Sequence, residues 1–243
     1  MNRNTRLTRT FIGVMVLAAI TGTTYAGLAS HTLHASYALA LLALAATTSR
    51  MKIKLPGIDG NMSVNLPFLL LAVVNLSALE AVAIATISTT VQCWPKLDQK
   101  FKPEQMLFNI SMMAFATSMA NLIWNASWLG KGVWASEPLT LASSTAAFFL
   151  GQTAPVAGII KLAEGAAMRR IWLSIVQLSF PYYVLSAGMT SMVNLVSHHF
   201  GWHAALVLFP VMYGIHHCYR VYFGRAADAL RSAPLARTAS AGA

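Results

Sequence analysis

The chain has 243 residues, of which 56% are hydrophobic and 10% charged, with a formal net charge of +10 at pH 7. So few charges cannot clothe a globule of this length in polar surface, which excludes an ordinary soluble domain. The basic excess would point to nucleic acid in a soluble protein. Here Lys and Arg fall in the breaks between apolar stretches, where anionic headgroups and the insertion machinery read them, so no nucleic-acid partner is expected.

Arg3, Arg6 and Arg9 precede the apolar run that begins at Phe11. With the small residues of Thr24-Tyr25-Ala26 they imitate a cleavable signal peptide, but Thr24 is a poor match to the small-x-small pattern, so an uncleaved first span is expected. The first two spans run from Phe11 to about Leu28 and from about Thr32 to Ser49. Arg50 to Gly60 follows, and its alternating bases with Pro-Gly and Asp-Gly signals predict a structured cytoplasmic loop.

The stretch from Ser63 to Trp94 is too long for one span and short for two. Ser77-Ala78-Leu79-Glu80 reads as a capping box, in which the Ser77 hydroxyl meets the Glu80 amide while the Glu80 carboxylate returns to the Ser77 amide. Two helices of about 14 to 17 residues result, about 21 to 25 Å each at 1.5 Å per residue, below the ~30 Å hydrocarbon thickness. The pair is either a re-entrant hairpin or a double crossing through a thinned bilayer. A single crossing would set Arg50, Lys52 and Lys54 on the opposite side from Lys96, Lys100 and Lys102, against the positive-inside bias, whereas a return puts both groups inside.

The remaining spans are about Gln105 to Trp124, Leu139 to Ile160, Ile171 to about Ser197, and Trp202 to Tyr222. Lys161, Arg169, Arg170, Arg220 and Arg225 then face the cytoplasm, and Lys131 is external. All six Trp fall near span ends, at headgroup depth. The expected architecture is an all-α polytopic transmembrane bundle of about six full spans plus the short hairpin at 63–94, with both termini cytoplasmic in a bacterial inner membrane. Residues 1–10 form a cytoplasmic N-terminus, 11–225 one transmembrane domain, and 226–243 a disordered tail. Cys93 and Cys218 sit in apolar helical contexts near cytoplasmic ends, where thiols stay reduced.

Several segments carry a resemblance. Lys54 to Ser63, the Glu80 helix start, Phe148-Phe149 through Thr153-Ala154-Pro155-Val156-Ala157, Phe180-Pro181-Tyr182-Tyr183, and Gly201-Trp202 to Tyr222 resemble the multi-pass N-terminal membrane modules that precede HD-GYP phosphodiesterase and GGDEF cyclase domains in some bacteria. The likeness covers about Arg50 to Arg225. It implies a sensory module whose last helix leaves through Tyr219-Arg220-Val221-Tyr222-Phe223-Gly224-Arg225 toward a signalling domain, here expected on a partner. The fold also looks somewhat like the substrate-binding subunits of vitamin-uptake transporters, which implies a small-molecule pocket.

Candidate ligand-binding residues are Asn75, Glu80, Gln152, Thr153, Tyr182 and Tyr183. A carboxylate in a membrane segment is costly unless capped or functional, so Glu80 is either a cap or a ligand or proton site, with Asn75 sharing either duty. Gln152 and Thr153 stand beside Pro155, and Tyr182 and Tyr183 beside Pro181. Proline opens a helix, so such side chains either satisfy freed carbonyls or line a cavity. His31, His34, His198, His199 and His203 map to the external surface as a conceivable but disfavoured metal site. No nucleotide-binding loop, zinc-protease motif or nucleophile elbow occurs, so no enzyme and no cofactor is expected. The expected function is a non-catalytic sensory or ligand-binding module that relays a small-molecule or membrane signal to a cytoplasmic signalling partner, with a small-solute transporter or its substrate-binding subunit as the alternative.

Overall fold

The computed structural model describes residues 3–29, 34–54, 61–95, 101–126, 137–165 and 167–222. Within them the architecture is carried by α1 (Arg3–Ala29), α2 (Ala35–Ser49), α3 (Leu66–Asn75), α4 (Ala78–Cys93), α5 (Pro103–Trp124), α6 (Glu137–Glu164) and α7 (Met168–Phe200). A 3-10 turn at Gly201–Val207 leads into a last helix, α8, over residues 208–222. The expected disordered tail at 226–243 lies outside the described residues.

Among the described residues, four segments are long and apolar enough to cross a bilayer: Arg6–Leu28, Pro103–Trp124, Glu137–Ala163 and Met168–Ser197. The sequence reading expects six. It differs at α2, whose 15 described residues reach only about 22 Å, and at the C-terminal stretch, where the 3-10 turn takes the first third of the expected span. Gly201 ends α7 with a φ of +64°, a backbone region that favours glycine, and Pro210 follows in the first turn of α8. Large apolar side chains nevertheless project outward along the bundle, among them Leu17, Leu28, Phe180, Met192 and Leu195. An apolar exterior of this kind suits lipid.

The break at Ser77 divides α3 from α4 as expected. Ser77 Oγ accepts from the Glu80 amide at 3.3 Å, and Glu80 Oε2 accepts from the Ser77 amide at 3.0 Å, so the capping box is complete. Its carboxylate does more than the sequence promised. Glu80 Oε1 also accepts from the backbone amide of His34 at 2.7 Å, one residue before α2, so a single side chain secures the first turns of two helices.

Every residue from Val64 to Val73 is buried, so α3 touches protein on all sides and belongs to the centre of the bundle. Its first amide, at Leu66, donates to the Tyr182 hydroxyl of α7 at 3.2 Å, and its Val73 carbonyl accepts from Asn121 Nδ2 of α5 at 3.3 Å. Those bonds satisfy helix-end groups that lipid cannot.

Alternation at Lys52-Ile53-Lys54 gives a short strand, β1, paired antiparallel with β2 (Asn61–Ser63) in the register Lys52 to Ser63, Ile53 to Met62 and Lys54 to Asn61. Ile53 turns into the core while Lys52 is exposed, as a period of two requires. Beside this short ribbon the described residues are helical, and the fold is all-α as expected.

Close packing orders the long helices. At Gly151 of α6 a Cβ would stand 3.0 Å from the Ala116 Cα of α5, and at Gly22 of α1 it would stand 2.9 Å from the Ser118 Cβ. Phe11 meets Phe108 at 6.2 Å between ring centroids, and Arg9 pairs with Glu104 at 2.9 Å, so α1 and α5 run side by side in the same direction. Small residues at helix contacts are the usual means of association in lipid.

Candidate functional site

A cavity of about 790 Å³ opens among the starts of α1, α3 and α5, the end of α4, the second half of α6 and the first half of α7. This is the end of the bundle that carries Arg6, Arg9, Arg50, Lys52, Lys102, Lys161, Arg169 and Arg170. Exposed Phe101, Lys102 and Glu104 stand at its rim, and its deeper wall is uncharged. The volume falls in the ordinary range for small-molecule sites, and mostly apolar walls with a few placed polar groups are their usual make-up.

Of the six expected ligand residues, four line this cavity: Gln152, Thr153, Tyr182 and Tyr183. The Tyr183 hydroxyl donates to Gln152 Oε1, which leaves Gln152 Nε2 directed at the Met113 thioether, a weak acceptor. Thr153 Oγ1 donates to the Phe149 carbonyl at 2.8 Å and accepts from the Trp172 indole at 3.3 Å. Tyr182 is fully enclosed, its hydroxyl taken by the Leu66 amide. Tyr182 and Tyr183 stand edge-on to each other at 6.3 Å in the lining, and Phe149 backs Tyr183 edge-on at 4.8 Å.

The helices run through Pro155 and Pro181 without ending. Thr153 bonds the carbonyl of Phe149 and Ser179 that of Ile175, not the carbonyls that the prolines release at Gly151 and Gln177. The polar side chains near both prolines therefore face the cavity without repairing the helix.

The other two expected residues lie elsewhere. Asn75 ends α3 and donates to the Leu71 carbonyl at 3.2 Å, and Glu80 is occupied by Ser77 and the His34 amide at the opposite end of α4 from the cavity. Among the expected metal residues, His31 lies outside the described residues, His34 offers Glu80 its backbone amide, His198 falls in the last turns of α7, and His199 and His203 are exposed. Among the described residues no three His, Cys, Asp or Glu side chains gather.

The sequence reading missed Asn65, Ser63, Gln92 and Asn109. Ser63 Oγ donates to Asn65 Oδ1 at 2.7 Å and stands 3.3 Å from Gln92 Oε1, while Asn109 Nδ2 points at Cys93 Sγ at 3.3 Å. Asn65 is 4% exposed, and its Nδ2 has no hydrogen-bond partner among the described residues. The one local signal was a polar residue directly before Leu66-Pro67, at the start of a wholly apolar helix.

A helical bundle with an apolar exterior and several helices long enough to cross a bilayer is the make-up of a multi-pass membrane protein. Residues 37–221 match MASE9, and the chain belongs to this family of membrane-associated sensor domains. The match runs from α2 to α8 and takes in nearly the whole lining of the cavity. No curated protein and no solved structure matches the chain.

Proposed function

We propose that the protein is a non-catalytic sensory module of the bacterial inner membrane, whose cavity takes a small molecule and whose last helix relays occupancy to a cytoplasmic signalling partner. The match of the bundle from α2 to α8 to a membrane-sensor family carries this reading. In the proposed orientation the basic end faces the cytoplasm, as the positive-inside bias requires, so the cavity opens inward and not toward the external face. The six expected spans are then α1, α2, α5, α6, α7 and the 3-10 turn with α8, while α3 and α4 form the hairpin.

The packing of α8 gives the proposed relay its mechanical basis. Met212 of α8 is fully buried, and Ile215 and Tyr219 pack on the same core cluster as Tyr182 and Tyr183. A ligand that binds one arrangement of the tyrosine wall better than another would shift α8 by that difference in affinity. Output domains of the HD-GYP or GGDEF class are the expected recipients. Co-purification from native membranes tests this: a signalling protein should be recovered with the wild type and lost on Met212→Ala, and repeated recovery of the protein alone would contradict it. Solute accumulation in vesicles containing the purified protein would favour the transporter reading instead, since a sensor moves nothing.

A further inference from the structure

Resting on the sensory reading, we infer that the cavity ligand is a neutral, apolar-bodied molecule with carbonyl acceptors, of the quinone type, held between the amide groups of Asn65 and Gln152. Both amides are oriented by their neighbours. Ser63 donates to Asn65 Oδ1, which turns Nδ2 away as an unpartnered donor, and Tyr183 donates to Gln152 Oε1, which leaves Nε2 with only a thioether. The Asn65 donor is buried and unpartnered and the Gln152 donor is half-buried against a weak acceptor, and an acceptor from a ligand relieves the cost of leaving them so.

Position in the fold argues for an apolar body. Gln152 lies twelve residues before the end of α6 and Tyr182 fourteen after the start of α7, about 18 and 21 Å along the helices. Asn65 is held at the level of Tyr182, whose hydroxyl takes the next amide. Val64 and Asn65 are non-helical backbone between β2 and α3, which a bilayer tolerates where it is buried or lines a cavity.

Charge argues for neutrality. Lys102 and Glu104 are the charged residues of the lining and both stand at the exposed rim. A carboxylate placed beside Asn65 would be an ion in a low-dielectric site without a counter-charge. The carbonyls of a quinone lie across a ring from each other, and the two donors come from different helices, α6 and the entry to α3.

The test is equilibrium partition of decylubiquinone between nanodiscs that contain the full chain and protein-free nanodiscs, with dodecanoate and dodecanol as competitors. Saturable excess binding at one site per chain is expected, with weak competition by either aliphatic compound. Asn65→Leu and Gln152→Met each remove the amide donors at similar volume without adding a charge and should weaken binding about tenfold or more, whereas Met192→Leu, on the apolar exterior away from the cavity, should leave it unchanged. Thermal melting without the probe identifies any variant that fails to fold, and the second donor variant then decides. Equal partition into protein-free nanodiscs, or donor variants that bind like wild type, would overturn the inference. Tighter binding of dodecanoate than of the quinone would overturn the neutral class while leaving the cavity as a binding site. None of these results touches the relay, which co-purification tests separately.

Discussion

Glu80 offers the most direct separation of a structural from a ligand-binding carboxylate. Replacing it in Glu80→Ala removes the acceptor for the Ser77 amide at 3.0 Å, the Ser77 hydroxyl at 2.7 Å and the His34 amide at 2.7 Å. Loss of the α4 cap costs about 1 kcal/mol, and each further partly exposed hydrogen bond to the carboxylate about the same. These contributions overlap, so the expected loss is about 2–3 kcal/mol, or roughly 30- to 150-fold in the folded-to-unfolded ratio. Glu80→Gln keeps one carbonyl acceptor, enough for Ser77 or His34 but not both, and should lose about half as much. Unfolding by detergent titration in mixed micelles measures both variants, with probe binding measured on the folded fraction. A Glu80→Ala protein as stable as wild type within about 0.5 kcal/mol, yet unable to bind the probe, would refute the assignment of Glu80 as a double cap.

Gly151→Val should destabilise the bundle by about 1–3 kcal/mol, because the added carbons meet the Ala116 backbone, and the same detergent titration checks it. Glu104→Ala should change stability by less than about 1 kcal/mol, since its ion pair with Arg9 is more than half exposed on both sides. Tyr183→Phe frees Gln152 Oε1 from its donor and lets the amide rotate, so probe affinity should fall several-fold while the melting temperature moves little. Asn121→Leu leaves the Val73 carbonyl at the end of α3 unpartnered and should cost about 1–3 kcal/mol in the same unfolding assay.

Features written in local chemistry were legible. Ser77 and Glu80 are three residues apart, so the capping box follows from spacing alone, and the return at Ser77 follows from the basic groups at Arg50 to Lys54 and Lys96 to Lys102, which a single crossing would set on opposite sides. Four cavity residues were found because Pro155 and Pro181 flag their neighbours. What escaped depends on contacts distant in sequence. Nothing near Glu80 announces the His34 amide, 46 residues earlier. Asn65 becomes a site residue only because Ser63 turns its carbonyl and α6 brings Gln152 to the same space. The lengths of α2 and α8 were overestimated because apolar composition marks burial or lipid equally well and does not register a 3-10 turn.

The central claim is that the chain folds back at Ser77, so that the β ribbon and the start of α5 lie on one side of the membrane with the cavity mouth between them. Single cysteines at Lys52, Lys102 and Asn125, in a chain with Cys93 and Cys218 replaced by Ala, answer this through labelling of intact cells with a membrane-impermeant maleimide. Labelling at Asn125 alone, with Lys52 and Lys102 reacting only after the membrane is opened, is the expected result. Labelling of Lys52 and Lys102 from opposite sides would contradict the account.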